Sequence, residues 1–170
     1  MKIVRDIPFR LNKKDVLRGL GMGASSYVRP EIDRLIDKTL QDEEVLKLIR
    51  PAFAYAVHNI HHMESDHCYL EGDAVLHGEI IPRVFAGAEA LAVAVATIGP
   101  GLEAIVRECF QQGKRLHGLI LDAIGTSAAE SMGFAIHDII NREAASRGYT
   151  ASSPVSPGGV SWPITEQFKL

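Results

Sequence analysis

Residues 52–60, Ala52-Phe53-Ala54-Tyr55-Ala56-Val57-His58-Asn59-Ile60, mark a change from helical to strand periodicity in the chain. Phe53, Tyr55, Val57 and Asn59 alternate with Ala54, Ala56, His58 and Ile60, a repeat of two that sends successive side chains to opposite faces of a strand. Upstream the repeat is different. After Pro30, a residue suited to the first helical position, Ile32, Leu35, Ile36, Thr39 and Leu40 return at helical spacing, with Glu31, Asp33 and Asp37 on other faces. This helix is expected to break near Asp42 and to resume with Val45, Leu46, Leu48 and Ile49, until Pro51 prevents continuation. Nearer the start, Ile3, Val4 and Ile7 suit a short strand. Asn12 then caps a brief helix through Val16, Leu17 and Leu20, which Gly19, Gly21 and Gly23 end.

Downstream, residues 67–70 and 75–81 flank Glu71, Gly72 and Asp73, a turn composition that predicts an antiparallel hairpin. Residues 91–96 are apolar on both faces, which predicts a central place in the sheet. They lead through Thr97, Ile98, Gly99, Pro100 and Gly101 into a helix ending near Gly113. The longest helix is expected over 116–146, with Leu121, Ile124, Ala128, Met132, Ala135 and Ile139 as its apolar stripe. A second stripe, Gly125, Ala129 and Gly133, is small enough to admit another backbone or a flat ligand. Beyond Gly148, Pro154, Pro157, Gly158, Gly159 and Pro163 surround Trp162, a density that predicts loop.

The 170 residues, 46% hydrophobic and 23% charged, suit one globular domain spanning 1–170. A net charge of -3 offers no general attraction to nucleic acid or to an anionic membrane. Lys2, Arg5 and Asp6 interrupt any signal core, and no apolar run reads as a membrane span, so a cytoplasmic protein is expected. Cys68 and Cys109 stand in no paired motif and are expected to be reduced core thiols.

His58, His61, His62, Glu64, Asp66 and His67 are all residue types that ligate divalent metals. His58 and His62 would meet on a helix, whereas the segment reads as strand followed by loop; a solvated polar connection is favoured and no metal is expected. His77, His117 and His137 read as isolated. The loop at 97–101 opens a helix whose free amides suit an anion, but a tight turn and capping account for it as well. Glu130 lies among Ala128, Ala129, Met132 and Phe134, with Thr126, Ser127 and His137 in reach by helical spacing and Thr126 a candidate donor, and reads as a structural bridge or a ligand contact. Asp122 poses the same choice. No nucleophile with its base is evident, so no catalytic residue is assigned.

Three segments carry a resemblance: Ala96-Thr97-Ile98-Gly99-Pro100-Gly101; Leu121-Asp122-Ala123-Ile124-Gly125 leading to Ala129-Glu130; and Ser156-Pro157-Gly158 followed by Trp162-Pro163. Their order and spacing resemble the activation domains of cobalamin-dependent methionine synthase, and particularly the stand-alone proteins related to them, over nearly the whole chain. The resemblance implies a single curved α+β domain with a twisted antiparallel sheet flanked by helices. It implies a part in methionine biosynthesis: cob(I)alamin occasionally oxidises to inactive cob(II)alamin, the activation domain docks over the corrinoid, and an electron with a methyl group from S-adenosylmethionine restores methylcobalamin. A domain of this kind positions ligands rather than supplying nucleophile and base.

For this chain the resemblance implies an accessory domain for reductive reactivation, acting in trans on a corrinoid-binding methyltransferase or its cobalamin domain. The cobalamin is carried by that partner, and an electron-donor protein is a further partner. Glu130 matches the helical glutamate on the S-adenosylmethionine side, and Pro157 with Gly158 the proline and glycine of the ligand loop; Ser156, Gly159 and Trp162 complete the implied binding set. The synthase loop has an arginine four residues before its glycine and a tyrosine after it, where this chain has Pro154 and Gly159. Neither replaces a bidentate guanidinium or a phenol. The alternative is therefore a non-catalytic module that binds a corrinoid or small ligand and has lost S-adenosylmethionine. Family members continue past the position of Leu170, which implies C-terminal truncation or completion by another chain in a homo-oligomer.

Overall fold

Side-chain capping opens two of the helices. In the computed structural model, which describes residues 1–23 and 27–170, β1 (Lys2–Arg5) precedes α1 (Lys13–Gly19), α2 (Pro30–Leu40) and α3 (Glu43–Leu48). The Asn12 side chain accepts a hydrogen bond from the Asp15 amide at 2.9 Å, and Asp42 accepts one from the Glu44 amide at 3.0 Å, each satisfying a donor that the first helical turn leaves unpaired. Then follow β2 (Ala52–Glu64), β3 (His67–Leu70), β4 (Val75–His77), α4 (Ile81–Val84), β5 (Ala90–Thr97), α5 (Gly101–Gln111), α6 (Arg115–Ser146) and a closing 3-10 turn, Ile164–Lys169. The α+β class expected from the sequence is the class observed.

The chain forms two compact units interleaved in sequence. A helical unit comprises Val4–Phe53 and Ala96–Ile136; a strand unit comprises Met1–Ile3, Ala54–Val95 and His137–Leu170. In the helical unit, α6 supplies Ile120, Leu121, Ile124 and Ala128 to a core shared with Val16, Ile36 and Leu102. Each such Ile or Leu contributes roughly 1.5–3 kcal/mol on burial. No apolar run of membrane-spanning length is expected from the sequence, yet α6 meets that criterion by length and composition, with a mean hydropathy of 1.3 over its most apolar window, 44% of which is buried. Ile120 and Ile124 of α6 are fully buried within the unit.

In the strand unit, β2 and β3 pair antiparallel with Met63 opposite Cys68 and Glu64 opposite His67, across a turn at Ser65 and Asp66. β3 and β4 pair antiparallel with Cys68 opposite Leu76, and the turn between them uses Gly72 at φ 80° and Asp73 at φ 64°. The expected hairpin is present. β1 and β5 both pair with β2.

Three expectations are corrected. β2 does not give way to loop after Ile60 but runs to Glu64, because β3 satisfies its backbone while the side chains of His61, His62 and Glu64 remain in solvent. β5 is not central: among the described residues it pairs with β2 alone, and its side chains are exposed from Ala94 onward, with Val95 64% exposed. Residues 78–81 do not extend β4. The chain turns at Gly78 and Pro82 stands in the first turn of α4.

Trp162 explains the turn at Gly78. It is buried against Cys68, Leu76 and Ile81 and meets Phe85 edge-on at 6.0 Å between ring centroids. A Cβ on residue 78 would lie 2.7 Å from the indole Cδ1, so this contact requires glycine. Glu166, on the closing turn, accepts a hydrogen bond from the His77 amide at 2.8 Å and pairs with Lys169 at 2.9 Å. The tail expected to be loop is thus partly helical and anchored to β4.

Candidate functional site

An open crevice of about 400 Å³ lies within the helical unit. One wall is the end of β5 and the loop into α5. The Gly99 amide donates to Thr97 Oγ1 at 3.0 Å, Gly99 adopts φ +82°, and the Ile98 carbonyl accepts from the Arg50 amide at 2.7 Å. A Cβ on Gly101 would stand 3.0 Å from the Leu48 carbonyl oxygen, so the loop is seated directly on the chain leaving α3. Among the described residues, no side-chain cap hydrogen bond opens α5 at Pro100.

The opposite wall is α6. Asp122, Gly125, Thr126 and Ala129 recur at spacings of three and four and therefore share one face. Gly125 keeps the wall thin: a Cβ there would meet Leu102 Cδ2 at 3.2 Å and Ile98 Cδ1 at 3.4 Å. The floor is apolar, from Leu102, Val106, Leu121 and Met132, whereas Thr97, Glu103, Asp122 and Thr126 supply polar groups. Asp122 and Glu103 are exposed, and among the described residues neither carboxylate has a hydrogen-bond or ion-pair partner. Two free carboxylates beside an apolar floor favour a ligand with a cationic group and an apolar body.

Glu130 adjoins this crevice without lining it. Its carboxylate meets Arg18 of α1 at 2.6 Å rather than Thr126, the donor expected from helical spacing. Half of its side chain is exposed, 52%, and a pair in such solvent contact contributes only about 0–1 kcal/mol, so Glu130 can exchange partners at little cost.

The other sequence-assigned residues lie in the strand unit. The Ser156 carbonyl accepts from the Gly159 amide at 3.1 Å, and the Gly158 amide donates to the Trp162 carbonyl at 2.9 Å, closing a tight loop. Gly158 adopts φ +90°, and a Cβ on it would lie 2.6 Å from Ile164 Cδ1. Pro157 and Trp162 are buried, whereas Ser156, Gly158 and Gly159 are exposed. Trp162 Nε1 finds no acceptor among the described residues. Glu130 and the 156–162 loop therefore belong to different compact units, each locally well defined.

A second polar constellation joins Asp66, His67 and His77. One Asp66 oxygen lies 2.8 Å from His67 Nδ1 and the other 2.7 Å from His77 Nε2, and the imidazole centroids are 4.8 Å apart. His77, read as isolated in the sequence, is brought here by the β3–β4 register, which sets it opposite His67. His62 instead stacks on Tyr69 at 4.2 Å between centroids. Sequence proximity overstated the cluster on one side and missed a member on the other. Glu103 was missed too; its position in the first turn of α5, facing the Asp122 face of α6, has no local sequence signal.

No protein-family model matches the chain, and no curated protein matches it. Among solved structures, the chain is similar to a MetH reactivation domain bound to AdoHcy, with a TM-score of 0.70 and 14% sequence identity, over 98% of this chain and 67% of that one. At that identity the likeness establishes a shared fold, and it is the fold implied by the three sequence segments: the chain has the architecture of a methionine synthase reactivation domain.

Proposed function

We propose that this protein is an accessory reactivation domain acting in trans on a corrinoid-dependent methyltransferase, positioning an S-adenosyl ligand while the partner carries the cobalamin. The observation that supports it most is the fold shared, over 98% of this chain, with a reactivation domain bound to AdoHcy. The crevice agrees in chemistry. Its apolar floor suits a flat adenine ring, and Asp122 and Glu103 suit the ammonium or sulfonium of such a ligand. No residue is needed as nucleophile or base, because the domain's contribution is placement.

Pro154 and Gly159 support a second reading, a ligand- or corrinoid-binding module that has lost S-adenosylmethionine, since neither supplies a fork of donors for a carboxylate. Calorimetry separates the two. The first reading expects micromolar binding of S-adenosylmethionine or its demethylated product, weakened about tenfold in Asp122→Asn, the order of 1.4 kcal/mol. Absence of heat at millimolar ligand leaves only the second reading standing.

A further inference from the structure

We propose that Asp66, His67 and His77 form a binding site for a divalent first-row transition cation, of which zinc is the representative. The argument begins with the backbone. Ser65 and Asp66 form the tight turn between β2 and β3, the β3–β4 register places His67 directly opposite His77, and the Gly78 amide donates to the Asp66 carbonyl at 2.8 Å. Three potential ligands from a turn and two strands are thereby held together by main-chain hydrogen bonds. One donor atom from each lies within 4.8 Å of the others.

The donor set is chemically coherent. Two imidazole nitrogens and one carboxylate oxygen suit zinc and its neighbours, not calcium or magnesium, which prefer oxygen alone. Tetrahedral zinc with bonds of about 2.0–2.1 Å holds its ligand atoms roughly 3.3 Å apart. The Asp66 oxygens lie 2.8 and 2.7 Å from the two nitrogens and the donor atoms within 4.8 Å of one another, so the short contacts open by about 0.5 Å and the longest separation closes by up to about 1.5 Å, movements within the reach of side-chain rotation. In the bound site the cation takes the place of the protons shared with Asp66, each ligating imidazole carrying its proton on the nitrogen that does not bind.

The surroundings support binding. The side chains of Asp66, His67 and His77 are 37%, 40% and 42% exposed, so an ion has access and positions remain for water or a partner's donor. Glu166 accepts from the His77 amide at 2.8 Å and fixes the backbone that carries one ligand. This arrangement is independent of the helical-unit crevice and of the function proposed for it.

The test uses the whole chain, freed of any histidine tag, titrated calorimetrically with zinc and followed by absorbance with cobalt. One ion per chain with micromolar or tighter affinity is expected, weakened at least tenfold in His77→Ala and in Asp66→Asn, and unchanged in His61→Ala. Circular dichroism without metal checks that the variants fold. Should a variant unfold, broadening of the His67 and His77 ring proton signals by cobalt in the unaltered protein gives the same information. Absence of stoichiometric binding, or binding that survives His77→Ala and fails in His61→Ala, overturns the proposal.

Discussion

Glu143 of α6 shows what a single carboxylate does when several donors converge on it. Lys2 lies at 2.6 Å, and Tyr55 and Arg147 also donate to it, all within the strand unit. The hydrogen bonds from Lys2 and then Tyr55 outweigh the opposing effect of burial and pull its carboxyl down to about 2, from an ordinary value of 4.5. The sign follows from linkage: a carboxyl whose folded value is depressed adds stability that is complete above its unfolded value and disappears as pH falls toward its folded one. The network's contribution is therefore lost between about pH 4.5 and about pH 2. Urea unfolding across that range should show the stability gap between the native sequence and Glu143→Gln closing as the solution is acidified. A gap constant with pH would mean that Glu143 is not the titrating group. The residue scale is also where the sequence was least legible. Lys2 and Tyr55 are far from Glu143 along the chain, as Arg18 is from Glu130, and no local pattern announces pairs made only by folding.

At the scale of elements, α6 combines a core face with an open one. Asp122, Thr126, Ala129, Glu130, Gly133 and Phe134 are exposed in a continuous run along the helix, beginning in the crevice, and Phe134 is 77% exposed. Nothing lies within 4 Å of where a Cβ on Gly133 would stand. Gly133→Leu should therefore raise stability by about 0.5–1 kcal/mol through helix propensity. If this open face meets the corrinoid partner, the same substitution should weaken the complex at least tenfold, and size-exclusion or fluorescence titration reads that against the denaturation midpoint. A stabilised variant that binds normally would move the docking face elsewhere. Caps and turns were legible because their chemistry is local: Asn12, Pro30 and Asp42 open helices, and Gly72 with Asp73 turns the β3–β4 hairpin. The length of β2, the edge position of β5 and the arrival of His77 beside His67 depend on strand partners distant in sequence. Periodicity cannot specify which partner a strand finds.

At the scale of the whole molecule, the fold is shared with a reactivation domain at 14% identity, so largely different side chains pack into the same architecture. The three resembling segments divide accordingly. The loop at 97–101 and the α6 segment build the crevice, while the 156–163 segment seats Trp162 on Gly78 and closes the strand unit. Part of what the family pattern marks is thus architecture, which sequence alone does not separate from ligand contact. The decisive measurement mixes the purified chain with a corrinoid methyltransferase holding cob(II)alamin and lacking its own activation domain, with S-adenosylmethionine and an electron donor present, and follows the cobalt absorbance. Conversion to the methylcobalamin spectrum only when this chain is added is expected; identical spectra with and without it, at any concentration tested, rule the reactivation role out.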